Sequence, residues 1–204
     1  MDLSPKQLEI LIQAEKLFAN NGFDATSVRD IANKANCNVS MINYYFGSKD
    51  ELLLAIVDYR LVSFRMSKEN IEGIADPFKR IDALIDHYLN CFNENSHIYQ
   101  ILTSQHSIKE KISKSQVFYE AKVNNINVIK SIIDYGVAQK MFKIYDPILI
   151  HTTIMGIFAN YKFDKAIYKE YHQLKTTQQY QRFLKKELTQ HLKTIIKAVL
   201  KHED

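Results

Sequence analysis

Apolar residues recur along this chain at three- and four-residue intervals. Leu11, Ala14, Leu17 and Phe18 share one helical face. Phe78, Ile81, Ile85, Tyr88 and Phe92 share a second, and Leu184, Leu188, Leu192, Ile195 and Val199 a third. That spacing follows the 3.6-residue period of an amphipathic helix. No stretch of comparable length alternates with period two, so the pattern predicts an all-α protein of about nine helices. Proline punctuates it consistently. Ser4-Pro5, Asp76-Pro77 and Asp146-Pro147 each set proline behind a capping residue, where its missing amide costs nothing, and so predict helix starts. Gln7, three residues after Ser4, completes a capping box. Gly22, Gly73 and Gly136 stand where helical patterns stop, as left-handed C-terminal residues would.

Residues 22–52 carry the densest set of signals. Thr26 or Ser27 caps a short helix, Asp30 completes a box with Ser27, and Val28, Ile31 and Ala32 face inward. Asn36 falls where the turn needs a left-handed residue, which asparagine tolerates. Asn38 caps a second helix from about Val39 to Phe46. Ile42 and Phe46, one turn apart, face the core; Ser40, Asn43 and Tyr44 point away, flanked by Met41 and Tyr45. Such a face is poor in charge but rich in hydrogen-bonding groups, which suits base edges in a major groove. Ser48 and Glu51 mark the next helix start. Lys49 opposes the dipole there, a choice explained if Lys49 and the free amides hold a phosphate together. The predicted DNA-contacting set is Thr26, Ser27, Asn38, Ser40, Met41, Asn43, Tyr44, Tyr45 and Lys49.

From about Leu8 to Leu54 the chain resembles the DNA-binding domain of the TetR family of bacterial transcriptional regulators. The residues that carry the likeness are Leu17-Phe18, Gly22-Phe23, Ser27 through Ile31-Ala32, and Phe46-Gly47-Ser48-Lys49 to Leu52. Asn36 replaces a frequent glycine of that family, and Asn43 a frequent tyrosine. The resemblance implies a homodimeric repressor. Residues 1–48 would bind double-stranded operator DNA, and residues 49–204 would bind a small-molecule effector and dimerise. It further implies a four-helix dimer interface from about Pro147–Tyr168 and Gln178–His202, with Gly156, Ala159 and Asn160 as a small-residue patch. Leu188, Leu192, Ile195 and Val199 would supply the facing stripe. It also implies an effector pocket in the second half; Tyr88, Phe92, Phe118, Met155 and Phe158, from inward stripes, are the expected lining. Acidic residues there read as exposed, which predicts a neutral or weakly anionic, mainly apolar effector. A DNA-organising protein of the same fold, with no effector, is the rival reading, and an all-α enzyme or carrier in the second half is a third.

Composition changes this picture little. The chain of 204 residues is 46% hydrophobic and 25% charged, ordinary globular values. Its net charge of +4 mildly favours an anionic partner, yet residues 1–50 hold five basic and six acidic side chains. DNA contact must therefore rest on local placement, helix N-termini and hydroxyls rather than a broad basic field. The basic bias from Lys175 to Lys201 reads as a solvated face. Cys37 and Cys91 are distant, which argues against a disulfide scaffold and suits a reducing cytoplasm. The N-terminus lacks a signal-peptide pattern, and the apolar run Ile148 to Ala159 is too short for a bilayer; no membrane is expected. His87 and Cys91 stand four apart but lack further metal ligands. Glu94 and His97 form one Glu-x-x-His, whereas a di-iron bundle needs two such pairs and two more glutamates; Asn93, Asn95 and Ser96 suggest a helix break there. With no nucleophile–base pair, phosphate loop or paired carboxylates, neither enzyme, cofactor nor metal is predicted.

Overall fold

The computed structural model describes residues 3–94, 96–104, 106–113 and 115–202. The helix break expected at Asn95 and the Glu94 side chain lie outside the described residues. The described residues form helices with no strand; a single antiparallel bridge joins Phe142 and Lys201. The helices are α1 (Pro5–Asn21), α2 (Val28–Lys34), α3 (Val39–Phe46), α4 (Lys49–Phe64), α5 (Glu69–Glu72), α6 (Pro77–Glu94) and α7 (Ser96–Ser104). They continue as α8 (His106–Ser113), α9 (Gln116–Ala138), α10 (Pro147–Phe163), α11 (Lys165–Tyr171), α12 (Thr177–Phe183), a π-helical turn (Leu184–Leu188) and α13 (Thr189–Leu200). The nine expected helices are thus exceeded, because several predicted segments are divided. The segment from Pro147, expected to reach Tyr168, breaks at Asp164, whose backbone leaves the helical region (φ −91°, ψ 20°).

The three proline-marked starts are as predicted. Ser4 and Gln7 form their capping box, and Asp76 and Asp146 accept amide hydrogens from Phe78 and Ile148, each at 2.8 Å. The glycine stops are only partly so. Gly22 is left-handed (φ 89°) and ends α1, but Gly73 is right-handed helical. Gly136 lies inside α9, and the left-handed residue beyond that helix is Lys140. The physical role of Gly136 is close approach. Its carbonyl receives the amides of Met141 and Phe142, and a methyl group on it would run into the Phe142 ring.

The chain divides into two compact units, residues 1–64 with 95–121, and residues 65–94 with 122–204. In the first, α1 packs against α2, α4 and α7, burying Ile10, Leu11, Phe18, Ile31, Ile42, Leu52, Leu53 and Ile56. The buried Glu15 carboxylate is held by Arg60 of α4 through two nitrogens, at 3.0 and 2.5 Å. Stripping away one partner of such a pair leaves an uncompensated charge, at a cost of about 3–5 kcal/mol.

In the second unit α6, α10 and α13 pack together. Leu84, Ile85, Tyr88, Ile154, Phe158, Leu192, Ile196 and Leu200 are buried there. Lys193 and Lys197 of α13 pair with Asp86 (2.6 Å) and Asp82 (2.7 Å) of α6. Tyr161 and Tyr180 stack at 4.7 Å, and each hydroxyl donates to the other's carbonyl. The π-helical turn alters the last stripe. The Thr189 hydroxyl donates to the Leu184 carbonyl at 2.9 Å, filling the widened turn. Beyond it the inward positions are Leu192, Ile196 and Leu200, while Ile195 and Val199 are only half-buried.

Gly136→Ala tests the close-approach argument. A glycine inside a helix normally gains up to about 1 kcal/mol on conversion to alanine. Here the added methyl meets the Phe142 ring, and overpacking of about 1–3 kcal/mol reverses the sign. Thermal unfolding followed by circular dichroism should show a lowered midpoint.

Candidate functional site

α2 and α3 are short, and the residues around them decide their placement. Ser27, not Thr26, caps α2: its hydroxyl accepts from the Asp30 amide, and the Asp30 carboxylate reaches back to the Ser27 amide at 2.9 Å. The Ser27 hydroxyl, then the Ser27 amide, hold the Asp30 carboxyl below the usual carboxylate range. Thr26 is buried and its hydroxyl donates to the Gly22 carbonyl at 2.8 Å. It builds the turn and is withdrawn from a DNA-facing role. Asn36 takes the left-handed conformation (φ 46°), and the Asn38 side chain accepts from the Met41 amide at 2.7 Å, both as predicted.

α3 presents its faces as the spacing requires. Ile42 and Phe46 are buried; Ser40, Asn43 and Tyr44 are exposed, Tyr44 by 84%. Met41 and Tyr45 are intermediate, and the Tyr44 and Tyr45 rings meet edge to face at 5.4 Å. Gly47 ends the helix at φ 77°, where any side chain would strike the Glu51 carboxylate.

Lysines tie both turns. The Lys6 ammonium donates to the carbonyls of Ala35 (2.7 Å) and Asn36 (3.2 Å) and pairs with Glu9. The Lys49 ammonium donates to the carbonyls of Phe23 (3.0 Å) and Thr26 (3.1 Å) and lies 4.3 Å above the Phe23 ring. Two of the three Lys49 N–H groups thus go to backbone carbonyls, which gives a lysine in the first turn of α4 a structural role. Lys111 of α8 also lies over Phe23 (4.9 Å) and pairs with Asp50 at 2.6 Å. Its sequence neighbourhood carried no sign of this contact.

The expected effector-lining residues divide between the units. Phe118 belongs to the first and is half-buried. Tyr88, Phe92, Met155 and Phe158 belong to the second. Phe92 and Phe158 lie 4.9 Å apart and are buried. Beside them the helical pattern left two buried polar side chains unremarked, Asn125 of α9 and His151 of α10. The His151 ring meets Tyr88 edge to face at 6.3 Å. Burial, then the Lys122 charge, push its pKa from 6.5 to about 4. Elsewhere in this unit Asp164, Ile167, Tyr168, Tyr171 and His172 line a shallow cavity of about 320 Å³, apart from every predicted lining residue. The Cys91 thiol lies 3.5 Å from His87 Nε2, and among the described residues no group of three metal-ligating side chains forms.

Of the expected dimer residues, Gly156 and Asn160 are exposed and Ala159 half-buried, with no atom within 4 Å of a methyl placed on Gly156. Leu149 and Phe163 are also exposed on α10. Leu188 and Leu192 are buried within the single chain. They are removed from the facing stripe, and Ile195 and Val199 remain.

An all-α chain with capped α2, a left-handed turn and an eight-residue α3 offering hydroxyl and amide groups is a helix-turn-helix protein. Residues 10–56 match the family model described as bacterial regulatory proteins, tetR family. The chain is 26% identical over 136 residues to the HTH-type transcriptional repressor NicS of Pseudomonas putida, covering 66% of this chain and 64% of NicS. The match thus spans less than two thirds of that relative. A tetR family transcription regulator from Shewanella shares the fold, with TM-score 0.71 at 18% identity over 98% of this chain and all of that one. So does the regulator FadR of Bacillus subtilis, solved with stearoyl-CoA, with TM-score 0.69 at 18% identity over 94% and 98%. Residues 10–56 thus match the DNA-binding domain of the tetR family, and the chain as a whole shares the fold of the solved regulators. No helix among the described residues is long and apolar enough to cross a membrane.

The depressed His151 pKa gives a pH test. The unfolded ring titrates near 6.5 and the native ring near 4. The stabilisation from keeping it neutral is therefore complete above pH 6.5 and is lost as pH falls towards 4, because the unfolded chain takes up a proton first. Between pH 7.5 and 5, wild type should lose about 2 kcal/mol more than His151→Gln in urea titrations. Equal losses would place the ring in contact with water.

Proposed function

We propose that the protein is a homodimeric, cytoplasmic transcriptional repressor that binds operator DNA through residues 1–48 and is released by a small, mainly apolar effector bound within residues 49–204. The observation that supports this most directly is the α3 face, where Ser40, Asn43 and Tyr44 are all exposed beside a core-facing Ile42 and Phe46. Each exposed group can hydrogen-bond to a base edge or phosphate, and asparagine pairs bidentately with adenine. Ser27, Asn38, Met41 and Tyr45 border this face. With two of its three N–H groups on carbonyls, Lys49 would share the phosphate contacts with exposed hydroxyls, free amides and exposed cations such as Arg29 and Lys34. An effector that binds the DNA-free conformation more tightly than the DNA-bound one would shift the balance towards the free form, and linkage then requires that it weaken operator binding. The protein is not expected to be an enzyme. The organiser reading predicts DNA binding indifferent to any small molecule.

Asn43→Ala should relax operator specificity at one base position by about 1–3 kcal/mol while leaving the fold intact. Gel-shift titration against single-base operator variants reads this directly. An unchanged preference would remove α3 as the reading helix.

Dimerisation is testable at residues that the protomer core does not need. Val199→Glu should yield a folded monomer in sedimentation, whereas Leu192→Glu should unfold the chain, because Leu192 has no exposed surface even in one protomer. A wild type that sediments as a folded monomer at micromolar concentration would end the dimer proposal.

A further inference from the structure

None of the seven residues of α11 is buried. So short a helix is not held by its own hydrogen bonds in water. On its inner side it is tied by Tyr168, whose ring packs against Tyr161 (4.8 Å) and Phe183 (6.1 Å). Its outer side is bare: Ile167 is 63% and Tyr171 81% exposed, and Phe163, the last residue of α10, is 82% exposed. Ile167, Tyr168 and Tyr171 also line the shallow cavity of about 320 Å³, so this face has a hollow that can receive a side chain. The helical register passes through the break at Asp164. The Asp164 amide donates to the Asn160 carbonyl at 2.8 Å, and the Tyr168 amide to the Asp164 carbonyl at 3.0 Å. Gly156, Asn160, Phe163, Ile167 and Tyr171 therefore follow one another at three- and four-residue intervals, and all are exposed.

A large aromatic side chain can bury about 150–250 Å². Phe163, Ile167 and Tyr171 together thus leave roughly 400 Å² of mainly apolar surface in water. Patches of that size on a soluble chain commonly mark an interaction site, and this one supplies about half of the roughly 800 Å² that each partner gives to a standard interface. Charge narrows the choice of occupant. Between Phe163 and Tyr171 stand Asp164, Lys165, Lys169 and Glu170, two of each sign, so the segment has no net charge to draw an anionic lipid or nucleic acid. Continuity narrows it further, because the stripe runs on from Gly156 and Asn160, the α10 residues at which the dimer reading places the partner. No atom lies within 4 Å of a methyl placed on Gly156, which leaves room for a second backbone to approach. We propose that a second copy of this chain covers Phe163, Ile167 and Tyr171, which makes α11 an arm of the dimer interface. This rests on the dimer reading and adds to it an element of its own, set off from α10 at Asp164 and ending beyond Tyr168.

Sedimentation equilibrium of the full chain gives the dimer dissociation constant of wild type and of Ile167→Glu, with circular dichroism as the check on folding. Ile167 is exposed in the single chain, so Ile167→Glu should keep its helix content. Its dimer should be about a hundredfold weaker, because a two-fold interface repeats a tenfold loss in each copy. The chain contains no tryptophan, so Tyr171→Trp carries a single reporter. Its emission should move to shorter wavelength as the concentration rises through the dissociation constant. An Ile167→Glu chain that dimerises as tightly as wild type leaves the dimer reading standing and overturns the arm. So does Tyr171→Trp emission that remains that of a water-exposed indole in the dimer. A wild type that stays monomeric overturns both readings. An emission shift that appears only on adding phosphatidylglycerol vesicles would give this face to a lipid surface and overturn the second copy as its occupant.

Discussion

An eight-residue helix has no stability of its own in water, because the cost of nucleating its first turn exceeds what so few hydrogen bonds return. α3, which carries the exposed Ser40, Asn43 and Tyr44, is such a helix. Its position depends on the two turns that flank α2 and on the buried anchors Ile42 and Phe46. Both turns are closed by ammonium groups donating to backbone carbonyls, Lys6 to Ala35 and Asn36, Lys49 to Phe23 and Thr26. Carbonyls at the ends of short helices and turns lack helical partners, and a lysine side chain reaches them from a neighbouring element. These charges are therefore structural in a segment whose net charge is slightly negative. The exposed face of α3 itself is a set of neutral hydrogen-bonding groups.

The second unit coheres by different physics. Its helices are joined through apolar stripes and through lysine–aspartate pairs between α6 and α13. The buried polar residues that break this pattern are consequently informative. Arg80 and Thr189 satisfy local carbonyls and hold a loop and a π-helical turn in shape. Burial disfavours the charged form of His151, and burial pushes the Tyr88 phenol up, opposed by Asn125.

Much of this was legible in the amino-acid order, because the signals were local. Capping boxes at Ser4 and Ser27, the Asn38 cap, the left-handed Asn36 and the boundaries of α3 all depend on residues within three or four positions of one another. Helical spacing also sorted the faces of α3 correctly. The likeness of residues 10–56 to the TetR family was legible for the same reason, since its anchors lie within one short stretch.

The remainder required the tertiary structure, because it depends on groups distant in sequence. Thr26 reads as a cap until the Gly22 carbonyl is seen to take its hydroxyl, and the carbonyls of Phe23 and Thr26 that receive two Lys49 N–H groups are not visible from the lysine's own neighbourhood. Gly136 resembles a helix stop but is a hollow for Phe142. The stripe through Leu192, Ile195 and Val199 was assigned on an uninterrupted α-helix; the π-helical turn rotates α13 about its axis, and Ile196 and Leu200 become the inward residues. Tyr88, Asn125 and His151 come from three helices whose meeting no periodicity reveals. Hydrogen bonds within one turn are written in the order of residues, whereas burial and long-range pairing exist only once the chain has packed.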